Sequence, residues 1–168
     1  GRSRHDSTKN ILNNIKILEK NNISEIVITG VNIGDYGKIS NDKNLFDLLK
    51  EINQFSSISR FRISSIELNQ LTKKIIKFIK NNNSFLPHFH IPFQSGSDKI
   101  LKKMKRKYNL QMYTDKIEMI KKIMPEASIG ADVIVGFPGE TNQDFQKTYK
   151  FIEKLNINYL HVFSFSQR

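Results

Sequence analysis

The chain has 168 residues, 38% of them hydrophobic, and a net charge of +11. That is enough apolar material for one buried core, with no apolar run near the roughly 20 residues that span a bilayer and no secretion-signal core in the opening GRSRHDSTKN. It contains no cysteine, which excludes disulfides and every thiolate metal site in this chain and leaves the redox compartment open. The charge has two readings. It can attract a polyanion such as nucleic acid, or it can follow from AT-rich codons, which encode the abundant Lys, Ile and Asn. Lys outnumbers Arg by 21 to 6, although Arg is the better bidentate phosphate ligand.

In chain order, Lys9 to Asn21 places Ile11, Leu12, Ile15 and Leu18 at helical spacing. SEIVITG reads as a short buried strand ending at Gly30, and GVNIGDYGKISNDKN as a long loop. LFDLLKEINQF is a helix, FRISSIE a strand and LTKKIIKFIKNN a helix. HFHIPF is a strand, followed by the small polar loop QSGSD and a Lys-rich amphipathic segment to Tyr108. LQMYTDKIEMIKKIM is a helix, SIGADVIVG a strand and FPGE a turn. Thr141 with Asp144 reads as an N-cap start for NQDFQKTYKFIEKL, and YLHVFSF is the last strand. Strands and helices alternate throughout, the pattern of βα units and a parallel sheet. No low-complexity linker divides the chain, which reads as one domain over residues 1–168.

Ligands of parallel βα sheets and barrels bind at the carboxyl ends of the strands. Those ends here are TGVNIGDYG, SSIE, QSGSD, GFPGE and SFSQR, rich in Gly, Ser and carboxylates. The connectors at the opposite ends, such as NNIS, MPEA and NIN, are plainer. The asymmetry marks a ligand edge without naming the ligand, and it makes Gln94, Ser95, Ser97 and Asp98 more than a connector.

Each candidate has a structural alternative. Gly30, Gly34 and Gly37 either admit a ligand to the backbone or serve turns. Glu67 ends an apolar strand, where a buried carboxylate needs a partner, either a ligand or an Arg such as Arg62. His88 and His90 share one strand face and form either a metal pair or, without further ligands in sight, satisfied core histidines. Asp132, among apolar neighbours in IGADVIVG, binds either a structural donor or a ligand hydroxyl. KKMKRKY reads as a solvated face, with Arg106 beside Tyr108 singled out.

Four motifs carry a resemblance: ITGVNIGDYG, RFRISSIE, PHFHIPFQSGSDKILKKMKRKY and IGADVIVGFPGETNQDF. In this order and spacing they resemble the central domain of radical S-adenosylmethionine methylthiotransferases. HFHIPFQSGSD with GVNIGDYG is closest to the branch acting on N6-threonylcarbamoyladenosine in tRNA. The resemblance implies a partial, open (β/α)6 TIM-like barrel and a cytoplasmic enzyme whose partners are S-adenosylmethionine and tRNA, with no membrane; the number of assembled copies stays open. The family carries a CxxxCxxC motif shortly before an RSR segment, and this chain opens with GRSR. It therefore reads as a fragment lacking the first strand, the cluster cysteines, the N-terminal domain with a second cluster and the C-terminal RNA-binding domain. The fragment is then expected to be inactive alone, and the strand at 25–29 to lie at a sheet edge.

In the whole enzyme the resemblance implies a [4Fe-4S] cluster, not bindable by this chain, that holds the methionine amine and carboxylate. A 5′-deoxyadenosyl radical starts C–H functionalisation at adenine carbon 2, and a second cluster supports delivery of the methylthio group. It also implies site roles. Thr29, Gly30 and Asn32 contact the methionine moiety, and Ser65 and Glu67 face the pocket. Gln94 and Ser95 reach toward the ribose, and Arg106, about two helical turns beyond the QSGSD loop, toward a carboxylate. Asp132, Val133 and Ile134 flank ribose and adenine, and Gly136, Pro138 and Gly139 shape the following turn. Two alternatives stay open: a radical methylthiotransferase acting on isopentenyladenosine tRNA or on ribosomal protein, and a non-radical α/β nucleotide-binding module.

Overall fold

Helix starts are written into the side chains. Ser7, Thr72 and Asn109 each accept a backbone N–H of the first turn of the helix that follows, and Asn44 with Asp47 and Thr141 with Asp144 close full capping boxes. In the computed structural model, which describes residues 4–38 and 43–167, these caps open five of six helices. Parts of the opening GRSR, of the loop after the first strand and of the terminal SFSQR lie outside the described residues.

The chain divides into two units, Gly1–Ile66 with Gln70–Pro87, and Glu67–Asn69 with His88–Arg168. The first contains α1 (Thr8–Lys20), β1 (Glu25–Ile28), α2 (Leu45–Phe55), β2 (Arg60–Ile63) and α3 (Lys73–Lys80). β1 and β2 pair in parallel from Glu25↔Arg60 to Ile28↔Ile63. Beyond β2 the segment at 84–86 adds two ladder bonds, Phe61 N–H to Ser84 O and Leu86 N–H to Phe61 O. Among the described residues β1 ladders only with β2, so it lies at a sheet edge as expected. Leu48, Leu49 and Ile52 of α2 and Ile75, Ile76 and Ile79 of α3 are buried, as are Phe61, Ile63 and Phe85. The loop after β1 is fixed from within: Gln70 donates to Asp35 at 2.7 Å, and a Cβ at Gly34 would lie 2.1 Å from the Gln70 side chain. Gly37 takes φ +77°, a left-handed turn position. Both glycines are thus accounted for by turn and packing.

The second unit contains β3 (His88–His90), α4 (Asp98–Lys103), α5 (Leu110–Ile123), β4 (Ser128–Val135), α6 (Asn142–Lys154) and β5 (Tyr159–Ser164). Its parallel sheet has the order β3-β4-β5, with His90↔Gly130 and Asp132↔His161 in register. Alternation then puts His88, His90, Gly130, Asp132, Ile134, Tyr159, His161 and Phe163 on one face. On the other face Phe89, Ile91, Ile129, Ala131 and Val133 are buried. Tyr113 of α5 anchors that layer, its hydroxyl donating to Ile91 O at 2.8 Å. The Tyr113 phenol is pushed above its ordinary pKa by this burial.

Two features depart from the sequence reading. HFHIPF is a three-residue strand, because Pro92 has no N–H and the ladder resumes irregularly. The basic segment is helical only to Lys103: Lys105 takes φ +56°, and the bonds Lys105 N–H to Lys102 O and Arg106 N–H to Leu101 O end α4 in a Schellman turn. The chain is α/β with parallel sheets, and no helix among the described residues is long and apolar enough to cross a membrane.

Candidate functional site

Beyond Pro92 the chain bulges. Phe93 N–H and Gln94 N–H both reach Asp132 O, at 3.2 and 2.7 Å, while Gln94 O accepts from Ile134 N–H at 3.0 Å. Gln94 takes φ +73°, which few non-glycine residues adopt. Bulges of this kind re-aim a side chain, and here Gln94 is turned into a cleft of about 440 Å³ in the second unit. Arg106, Asp132, Ile134, Phe163 and Ser164 line the same cleft. The Schellman turn after α4, rather than two helical turns, brings Arg106 there.

The cleft is polar where polarity is costly. Gln94 Oε1 and Arg106 Nε are buried and have no hydrogen-bond partner, an acceptor and a donor left for something else. Arg106 Nη1 does pair with Glu67 at 3.3 Å. Glu67 therefore has Arg106 as its partner and not Arg62, whose guanidinium binds Glu25 at 2.8 Å. Asp132 Oδ1 lies 2.9 Å from His90 Nε2 and 3.3 Å from His161 Nδ1. The His90 ring reaches Tyr159 OH at 3.1 Å through Nδ1, and Tyr159 OH lies 2.9 Å from His88 Nε2. His88 and His90 are thus part of a polar chain across three strands rather than an isolated pair.

The expected site residues separate accordingly. Gln94, Arg106, Asp132 and Ile134 line one cleft, and Glu67 holds Arg106. Ser95 does not reach toward it: it is fully buried, 3.4 Å from Thr148 Oγ1 of α6. Val133 points its side chain to the helix-covered face, opposite Asp132, and is 2% exposed, so only its backbone is left for a ligand. Thr29, Gly30, Asn32 and Ser65 belong to the first unit and are exposed, with the Asn32 amide donating to Asp35 in its own loop. The remainder of QSGSD is structural. Ser97 Oγ donates to Asp144 at 2.8 Å, Asp98 caps Leu110 N–H, and Gly96 N–H donates to Thr148 Oγ1 at 2.9 Å. His161 and Tyr159 escaped the sequence reading. Their signal was the alternation of ring side chains in YLHVF, which has meaning only once β5 is registered against Asp132.

The family model described as the radical SAM superfamily matches residues 1–152. The chain is 43% identical over 145 residues to the threonylcarbamoyladenosine tRNA methylthiotransferase MtaB of Bacillus subtilis (strain 168), covering 86% of this chain and 32% of that protein. It is 38% identical to MtaB of Aquifex aeolicus (strain VF5), covering all of this chain and 41% of the relative. To the tRNA-2-methylthio-N(6)-dimethylallyladenosine synthase of Desulfitobacterium hafniense (strain Y51) it is 36% identical, covering all of this chain and 38% of the relative. The chain thus spans about two-fifths or less of the length of these relatives. Among solved structures, the radical SAM enzyme coproporphyrinogen III oxidase (HemN) from Escherichia coli aligns over 96% of this chain and 38% of its own, with a TM-score of 0.67 at 18% identity. The archaeal Methanocaldococcus infernus Elp3 aligns over 92% of this chain and 40% of its own, with a TM-score of 0.59 at 16% identity. These two share the fold. With the family model spanning nine-tenths of its length, the chain belongs to the radical SAM superfamily.

Proposed function

We propose that this chain is the S-adenosylmethionine-binding core of a tRNA methylthiotransferase that modifies carbon 2 of N6-threonylcarbamoyladenosine next to the anticodon. The observation that carries the reading is that Gln94 and Arg106 line one cleft and each keeps a buried atom without a hydrogen-bond partner, Gln94 Oε1 and Arg106 Nε. The cofactor offers what they lack. Ribose hydroxyls can donate to Gln94 Oε1, and the methionine carboxylate can accept from the Arg106 fork, which Glu67 holds in place. Ile134 and Phe163 give the cleft an apolar wall suited to a purine. Roles for Thr29, Gly30, Asn32 and Ser65 at the methionine moiety rest on their motifs.

Gln94, Arg106 and Asp132 would hold S-adenosylmethionine, which with a [4Fe-4S] cluster would supply radical chemistry for C–H functionalisation. Clusters of that type are held by thiolates, so a chain without cysteine does not hold one and is inactive by itself. Its own residues bind the cofactor, fix its orientation and exclude water from the reacting atoms.

The reading is tested by deleting the gene and analysing the nucleosides of bulk tRNA by mass spectrometry. The expected result is loss of the 2-methylthio form of threonylcarbamoyladenosine, accumulation of its unmodified parent, and no change in isopentenyladenosine derivatives. Loss of methylthio groups from isopentenyladenosine would reassign the substrate. Unchanged tRNA would remove the tRNA reading.

A further inference from the structure

We propose that His90, Asp132 and His161 form a binding site for a divalent transition-metal ion with nitrogen and oxygen ligands. Each residue offers one ligand atom, and the three atoms lie within 4.8 Å of one another. The two shorter separations are 2.9 Å, from His90 Nε2 to Asp132 Oδ1, and 3.3 Å, from His161 Nδ1 to the same oxygen. Ligands about 2.1 Å from a common ion stand about 3.0 Å apart along an octahedral edge and about 3.4 Å apart in a tetrahedron. Two of the three edges therefore already have the length a metal imposes. The third would close by rotation of His161, whose side chain is 56% exposed. Two histidines and one carboxylate are the ligand set of mononuclear divalent sites that keep open coordination positions.

The surroundings are built around these atoms. A metal-bound histidine needs its second ring nitrogen held, and His90 Nδ1 lies 3.1 Å from Tyr159 OH. Tyr159 OH carries one proton and touches two ring nitrogens, His90 Nδ1 and His88 Nε2 at 2.9 Å. If it donates to His88, His90 must donate to it from Nδ1–H. His90 Nε2 then presents a lone pair beside the Asp132 carboxylate, two acceptors that either a metal cation or a shared proton satisfies. Gly130 makes this arrangement possible, because a Cβ there would lie 2.0 Å from the Tyr159 ring. Asp132 also lines the cleft, which gives an ion an entry path.

The ion would share its cleft with the cofactor assigned above, and the test uses neither that cofactor nor the substrate. It is tested with the untagged chain, stripped with chelator and titrated with Co²⁺, followed by calorimetry and by the histidine ring protons in NMR. One equivalent should bind, with paramagnetic shifts at His90 and His161 but not at His5. Asp132→Asn and His161→Ala should each weaken binding at least about tenfold. His161 is exposed, so its variant reports on the site even if Asp132→Asn unfolds; thermal melting checks both. No saturable binding, or affinity unchanged in folded His161→Ala, would overturn the site and leave a proton-bonded triad only.

Discussion

Gln94 and Arg106, on one cleft, each keep one buried hydrogen-bonding atom without a partner. A ligand that bonds to both atoms recovers what burial cost them. In the whole enzyme, Arg106→Ala should weaken S-adenosylmethionine binding about 10- to 150-fold, the worth of a charge-assisted bond of about 1.5–3 kcal/mol. Gln94→Ala removes a neutral bond and should cost about 2- to 10-fold. Equilibrium cofactor binding, measured beside the melting temperature, separates affinity from folding. Unchanged affinity in both folded variants would take the cofactor out of this cleft.

At the scale of elements, the QSGSD loop and α6 are one structure. Asp144 is almost fully buried and accepts from Ser97 Oγ, Lys99 Nζ and Thr141 Oγ1, each at 2.8 Å. The Lys99 ammonium first, then the Thr141 and Ser97 hydroxyls, hold its carboxyl far below the usual carboxylate range. A depressed folded pKa stabilises fully above the unfolded value of about 3.9 and is lost as pH falls through the folded value. Acid unfolding of the chain should therefore be steeper in the wild type than in Asp144→Asn, whose stability should depend less on pH below about 4. Urea melts between pH 2 and 6 check this, and parallel profiles would show that Asp144 is not the sensor. Gly96 allows the two pieces to meet, because a Cβ there would lie 2.4 Å from Thr148 Cα. Gly96→Ala should destabilise by about 1–3 kcal/mol through overpacking, read as a lower denaturation midpoint. An unchanged midpoint would mean that α6 shifts at little cost.

For the whole molecule, charge and cysteine count set the expectations. Lysines supply most of the +11 charge. Binding of tRNA to the chain alone should be weak and should fall steeply between about 50 and 200 mM salt, as phosphate contacts require. Filter binding at several ionic strengths measures the slope; tight, salt-insensitive binding would place sequence-specific recognition in this chain. Reconstitution with iron and sulfide should yield no stoichiometric cluster, since no thiolate is present to hold one. A protein-bound charge-transfer band would contradict this.

Local sequence determined what depends on near neighbours. Apolar periodicity and the Ser, Asn and Thr caps set the five capped helices within a residue or two, and α2 runs over the expected Leu45–Phe55. The alternation of strands and helices implied parallel pairing, and Asp132 stood out because a carboxylate among apolar residues needs a partner. Tertiary structure decided what depends on register and on left-handed residues. The bulge at Gln94 and the Schellman turn at Lys105 turn two side chains into one cleft, and neither position carries the glycine that would have announced it. Ser95 read as a ligand contact until α6 packed on it. His161 acquired meaning only when β5 aligned beside β4, because a parallel partner 29 residues away leaves no local trace in the chain. Short-range preferences are encoded residue by residue, whereas a site is assembled by contacts between strands whose spacing in sequence is arbitrary.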